Sequence, residues 1–178
     1  KSRAEIALYE AFQKQLSGDE WLVLFNARFV EKKWAHSPPI DGEIDFLVVH
    51  PEWGALMIEV KGGSIAWRGE TLYSNEHVLS LDHQLENNKF GALARLSRRR
   101  EWDPALKHRF FHAAAFPDCT CKNDPMPAWL RPEFIIDRSD LTDIESRLRH
   151  IFRFWSNGKP MDADRGKHLR FLIEDSFM

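Results

Sequence analysis

Over residues 4–16 the apolar residues Ile6, Ala7, Leu8, Phe12 and Leu16 recur mainly at three- and four-residue steps, the repeat of a helix with one buried face. Ser2 stands where an N-cap is expected and Gly18 where a helix stops. The period then changes. Residues 21–30 read WLVLFNARFV, rich in aromatic and β-branched side chains, and predict a strand broken near Asn26. Residues 31–42, with Pro38 and Pro39, predict a loop.

Residues 42–63 read GEIDFLVVHPEWGALMIEVKGG, two apolar runs separated by the turn-forming His50, Pro51, Glu52, Trp53 and Gly54. This predicts a β-hairpin. A smaller hairpin is expected from 65–67 and 71–73, joined through Arg68, Gly69 and Glu70, with an apolar content modest enough for a sheet edge. After Asp82, read as an N-cap, Leu85, Phe90, Leu93, Ala94 and Leu96 fit a helix that tolerates Gly91 and runs into Arg98, Arg99 and Arg100. Residues 109–116 have strand composition, 117–132 form a proline-rich loop, and 133–136 predict a short strand. Ser139 or Asp140 caps a last helix with the face Leu141, Ile144, Leu148, Ile151, Phe152 and Trp155, ending near Gly158. The order α, several β, α, β, β, α indicates an α/β or α+β sandwich.

The hairpin concentrates the chemistry. With a five-residue loop, symmetry about Glu52 pairs Val49 with Ala55, Phe46 with Ile58 and Asp45 with Glu59. Directly opposed side chains on one sheet face have Cβ atoms ~4.5–5.5 Å apart, where two like charges repel unless a cation joins them. Alternation puts Lys61 on the face of Glu59 and turns Ile58 and Val60 the other way, so one face is expected to be charged and the other oily. A hard ion such as Mg²⁺ is held by one or two acids and keeps several waters, and Asp45, Glu59 and the Val60 carbonyl are candidate ligands. A water on such an ion becomes a stronger nucleophile, and Lys61 is placed to orient it or to stabilise charge on a phosphate. Gly62 and Gly63 fit either a turn or a place where a nucleic-acid backbone comes close. On composition alone, the plainer reading of the three charged residues is a solvated ion-pair cluster, worth little in stability.

The same segment resembles the signature of the nuclease-related domain, NERD, a branch of the PD-(D/E)XK restriction-endonuclease-like superfamily, with Asp45 as the acid and Glu59, Val60 and Lys61 as the E-x-K. Ile44 replaces the proline of the superfamily's name. Glu5 in RAEIALYEAF, Gln84 in LDHQLENNKFGAL and the AAAFPD of 113–118 extend the resemblance. It implies an α/β fold with a restriction-endonuclease-like central mixed β-sheet flanked by helices. It also implies Mg²⁺ or Mn²⁺ at Asp45 and Glu59, Lys61 assisting attack on a phosphodiester, and Glu5 completing the acidic cluster. Gln84 fits a site residue, a surface residue or a hydrogen-bond partner of a nearby turn. Such domains resemble modules attached to helicase, kinase or zinc-ribbon segments.

Composition narrows the alternatives. A chain of 178 residues, 43% hydrophobic, suits one core and hence a single domain over 1–178. It opens at Lys1 without an initiator Met or a signal-type segment, which reads as a piece of a longer protein. A net charge of -2 leaves nucleic-acid binding to a local patch or a metal, and Arg95, Arg98, Arg99 and Arg100 form one such patch, or simply a solvated helix end. Among the seven tryptophans, Trp53, Trp67 and Trp155 fit packing better than a base-stacking platform. Cys119 and Cys121, one residue apart, suit neither a disulfide nor, with His108 and His112, a usual zinc site, and suggest a reducing, cytoplasmic setting. No apolar run approaches the ~20 residues of a membrane span. No phosphate-binding G-x-x-x-x-G-K-S/T loop is present, so any motor is expected elsewhere in the parent chain. Two functions follow: a metal-dependent DNA nuclease, or a catalytically idle module of the same fold that binds nucleic acid or a partner protein.

Overall fold

A computed structural model describes residues 1–32 and 34–178. Helix α1 spans Arg3–Gln15. Ser2 accepts from the Glu5 N–H while the Glu5 carboxylate accepts from the Ser2 N–H, a reciprocal cap that satisfies two otherwise unpaired donors. Strands β1 (Leu22–Lys32), β2 (Pro39–His50) and β3 (Gly54–Val60) follow as an antiparallel meander. Strands β4 (Ile65–Arg68), β5 (Thr71–Ser74) and β6 (His77–Leu79) form a separate three-stranded sheet. Then come α2 (Leu81–Ser97), β7 (Phe110–Phe116), β8 (Ile135–Asp137), α3 (Ile144–Ser156) and α4 (Ala163–Phe177), with short 3-10 turns between them. The main sheet has the order β1-β2-β3-β7-β8, antiparallel through β3 and parallel from β3 to β8. This is the mixed sheet with flanking helices that the resemblance implied.

Apolar clusters cover both faces of the sheet. On one side Phe46, Val48, Leu56, Ile58 and Val60 pack with Leu8 and Phe12 of α1 and Leu148, Ile151 and Phe152 of α3. On the other, Leu47, Val49, Ala55 and Met57 pack with Ala92 and Leu96 of α2 and Leu169, Leu172 and Ile173 of α4. All seven residues of β3 are buried, so the expected division into a charged face and an oily face does not hold. Charge is confined to the end of the hairpin.

Several elements differ from expectation. The long loop over 31–42 is shorter, because Glu31 pairs with Ile40 and Lys32 with Pro39 at the far end of a twisted ribbon. A proline is tolerated there because it begins its strand. Lys33, within that predicted loop, lies outside the described residues. Ser80, not Asp82, precedes α2, and Asp143, not Ser139 or Asp140, caps α3. Asp140 instead closes a capping box with Asp137 on the preceding 3-10 turn. Strand β6 and helix α4 were not expected from the sequence. In α4 only Leu169, Leu172 and Ile173 are large buried apolar residues, amid a charged sequence with Gly166 inside it, so its helical repeat is faint. Gly91, the anomaly of the α2 pattern, is required by contact: a Cβ there would stand 1.9 Å from the Phe29 ring.

Candidate metal and nucleic-acid site

The hairpin register runs as the symmetry about Glu52 predicts, with Val49 opposite Ala55 and Phe46 opposite Ile58, and the paired ladder then stops. The reason lies in β1 and β2. Phe46 belongs to one apolar cluster and Ile44 to the other, although residues two apart on a regular strand share a face. Asp45 sits between them, and its opposite position on β1 is Asn26, which has a left-handed φ of 55° and interrupts the register. The strand pair is wrenched at this point. The Asp45 side chain turns toward β3, where its Oδ2 accepts from the Val60 N–H at 2.8 Å in place of a backbone rung.

Asp45 and Glu59 therefore converge. Both line a cleft of about 420 Å³ together with Glu5, Val60, Lys61 and Gln84. Burial, then the Glu59 charge, pushes the Asp45 carboxyl up to about 7, against the smaller opposing pull of the Val60 N–H and Lys61. Glu5 adds a further upward push. Glu59 is 4% exposed. Its Oε1 accepts from Lys61 Nζ at 2.8 Å and its Oε2 from Asn88 Nδ2 at 3.2 Å.

The neighbourhood explains how these side chains are held. The Lys61 N–H donates to Ala115 O at 2.9 Å, which extends β3 onto β7 just past the E-x-K. Gly63 has φ +82° and donates its N–H to Asp118 Oδ2 at 2.8 Å, so a left-handed bend accounts for the second glycine of the pair. Asn88, Asn87, Asp41 and Glu43 also border the cleft and were not picked out from sequence. The signal for Asn88 was available: it lies one helical turn beyond Gln84 on the same face of α2.

The arginine group is not brought to this cleft. Arg95 donates to Ser176 O at 2.7 Å and lies over the Phe177 ring, which ties α2 to α4. Arg98 pairs with the buried Glu31, and Arg99 pairs with Asp175 and Glu101. Arg100 is exposed and has no ion-pair partner among the described residues. Cys119 and Cys121 are free thiols, and burial with the neighbouring Cys119 raises the Cys121 thiol. Trp155 packs among Phe111, His112, Phe134 and Phe154.

Among the described residues no three His, Cys, Asp or Glu side chains stand close enough to cage a metal by themselves. The cleft is instead lined by Asp45 and Glu59, whose charges repel, with Glu5, Asp41 and Glu43 around them and Val60 beside them. That donor set fits Mg²⁺ or Mn²⁺, hard ions that accept one or two acids and retain water. A soft or tetrahedral metal would need sulfur or imidazole, which this cleft lacks among the described residues.

No curated protein and no solved structure matches the chain. The family model for the nuclease-related domain, NERD, matches residues 1–115. That span holds α1, the whole hairpin, α2 and nearly all of β7, and so every residue that lines the cleft. The chain belongs to the nuclease-related domain family.

Proposed function

We propose that this domain hydrolyses phosphodiester bonds of DNA with Mg²⁺ or Mn²⁺ held by Asp45, Glu59 and the Val60 carbonyl. The observation that carries this reading is the convergence of the half-buried Asp45 and the buried Glu59 where the ladder of an apolar hairpin breaks, with the Asp45 carboxyl raised to about 7. A folded chain keeps repelling carboxylates together at a cost, and such perturbed groups cluster at functional sites. When bound, the cation would neutralise charge on the phosphoryl oxygens and make a nearby water easier to deprotonate.

The chain's own residues divide the remaining work. Asp45 and Glu59 hold their carboxylates on rigid strands, one anchored on the Val60 N–H and the other between Lys61 and Asn88. Lys61 is half-buried beside Glu59, close enough to the cleft for its ammonium to pair with a phosphate oxygen as charge builds there. Glu5 and Gln84 also line the cleft, where Glu5 would complete the acidic rim and the Gln84 amide would donate to a phosphate without reading sequence. The domain is suited to act as a module of a longer DNA-processing protein, a helicase-linked one included.

A second reading, an idle module that only holds nucleic acid or a partner, is favoured by one observation: Lys61 is already paired with Glu59. Plasmid and single-stranded DNA incubated with the chain and Mn²⁺ or Mg²⁺ separate the two. The nuclease reading expects cleavage that falls about 10²–10³-fold in Lys61→Ala, the usual cost of losing one charge-stabilising group. Equal cleavage by Lys61→Ala would sink it, and salt-sensitive binding without turnover in either metal points to the idle module.

A further inference from the structure

The buried face of α2 consists of Leu81, Leu85, Asn88, Gly91, Ala92 and Leu96. Leu81 and Leu85 belong to the apolar cluster on one side of the sheet and Ala92 and Leu96 to the cluster on the other. The helix therefore crosses the open end of the hairpin, and Asn88 falls at the crossing. Asn88 is the polar side chain in this stripe and is only 6% exposed. Packing alone would favour leucine there, and a buried amide requires a partner.

Its partner is Glu59. Asn88 Nδ2 holds Oε2 at 3.2 Å, while Lys61 Nζ holds Oε1 at 2.8 Å. The two donors differ in kind. Asn88 is short, neutral and fixed on a buried helix face; Lys61 is a charge on a long flexible stem, 17% exposed. A cation drawn to Glu59 competes with the ammonium for negative charge, and it does not compete with the amide.

We propose that Asn88 is a positioning residue for the cation site: it keeps the Glu59 carboxylate aimed into the cleft when Lys61 leaves Oε1 for a substrate phosphate. This rests on the nuclease reading of the cleft and adds to it a division of labour between a permanent and an exchangeable donor. Groups that hold a ligand's second oxygen set metal affinity without touching the metal.

The test is the affinity of the whole chain for Mn²⁺ alone, measured by calorimetry and by the electron spin resonance of free Mn²⁺. Asn88→Leu is expected to weaken binding about 10-fold or more. Lys61→Ala is expected to leave it unchanged or tighten it, because a competing positive charge is gone. Weakening in the Asn88 variant alone supports the proposal, since general damage to the cleft would weaken both. Should Asn88→Leu lose its cooperative thermal transition, Asn88→Ser, which shortens the side chain without filling the stripe, carries the same expectation. Wild-type affinity in the folded Asn88 variant, or equal weakening in both variants, overturns the proposal alone. Mn²⁺ binding that is indifferent to Asp45→Asn overturns the cation reading itself and this proposal with it.

Discussion

Two acids on strands of the same sheet meet opposite fates. Asp137, at the end of β8, is 0% exposed, yet its carboxyl is held below the usual carboxylate range. Burial pushes it up, but the Ser139 hydroxyl and the backbone N–H groups of Lys122 and Cys121 donate to it, and the Lys122 ammonium adds its charge. Asp45, on β2, keeps partial exposure, yet it is pushed up to about 7. Among the described residues its carboxylate accepts one hydrogen bond, from Val60, and it faces another acid. What separates the two carboxyls is compensation: four donors and an ammonium hold Asp137 down, whereas Asp45 has the Val60 N–H and Lys61 against burial and the charges of Glu59 and Glu5.

The largest expected effect is on the compensated acid. Asp137→Ala strands the backbone N–H groups of Cys121, Lys122 and Ser139 and the Ser139 hydroxyl, and should lower stability by about 3–5 kcal/mol in urea unfolding. A loss below ~1 kcal/mol would erase the contrast. Next is metal rescue at the uncompensated acid. Mn²⁺ at about 100 times its dissociation constant should stabilise the wild-type chain by about 2.7 kcal/mol, read as a rise in melting temperature. Asp45→Asn should abolish that rise, and persistence of the rise would move the ion elsewhere.

Third, the two acids should give opposite pH signs. Asp45 has a raised folded pKa, so its contribution is fully present below 3.8 and is lost as pH rises through about 7 in the metal-free chain. Asp137 has a depressed folded pKa, so its contribution is present above 3.8 and is lost as pH falls through the lower folded value. At pH 8 and without metal, Asp45→Asn should therefore be more stable than wild type, by on the order of 2 kcal/mol once residual solvent access is allowed for. Equal stability of the two proteins from pH 5 to 8 would show that Asp45 is not under pressure. The smallest effect is expected at Arg100→Ala, exposed and unpaired among the described residues, which should change stability by less than about 0.5 kcal/mol.

How much of this was legible in the sequence follows from which interactions are local. The β2–β3 register could be read because it is symmetric about Glu52, although the turn is the three residues 51–53 rather than five, His50 pairing with Gly54; the α1 cap could be read because Ser2 and Glu5 are three residues apart. The wrench at Asp45 could not, since it depends on a left-handed Asn26 on a neighbouring strand. The arginines looked like a free patch because their partners are remote: Arg98 meets Glu31 across 67 positions and Arg95 meets Ser176 across 81. Asn88 was passed over because an asparagine on a helix is ordinary until the strand beneath it is known to carry a buried glutamate. Asp45 and Glu59 were found through the pairing symmetry and the family resemblance together.

The bond from Val60 N–H to Asp45 Oδ2 gives one atom two employments, as a fastener of the hairpin and as part of the candidate reactive pair. An amide oxygen can still accept that hydrogen bond, whereas a methyl cannot. A lineage that gave up cleavage while keeping the fold would thus be expected to retain Asn at position 45 rather than Ala. Silent copies of this domain would then stay well folded, and loss of chemistry would leave little trace in their solubility or shape.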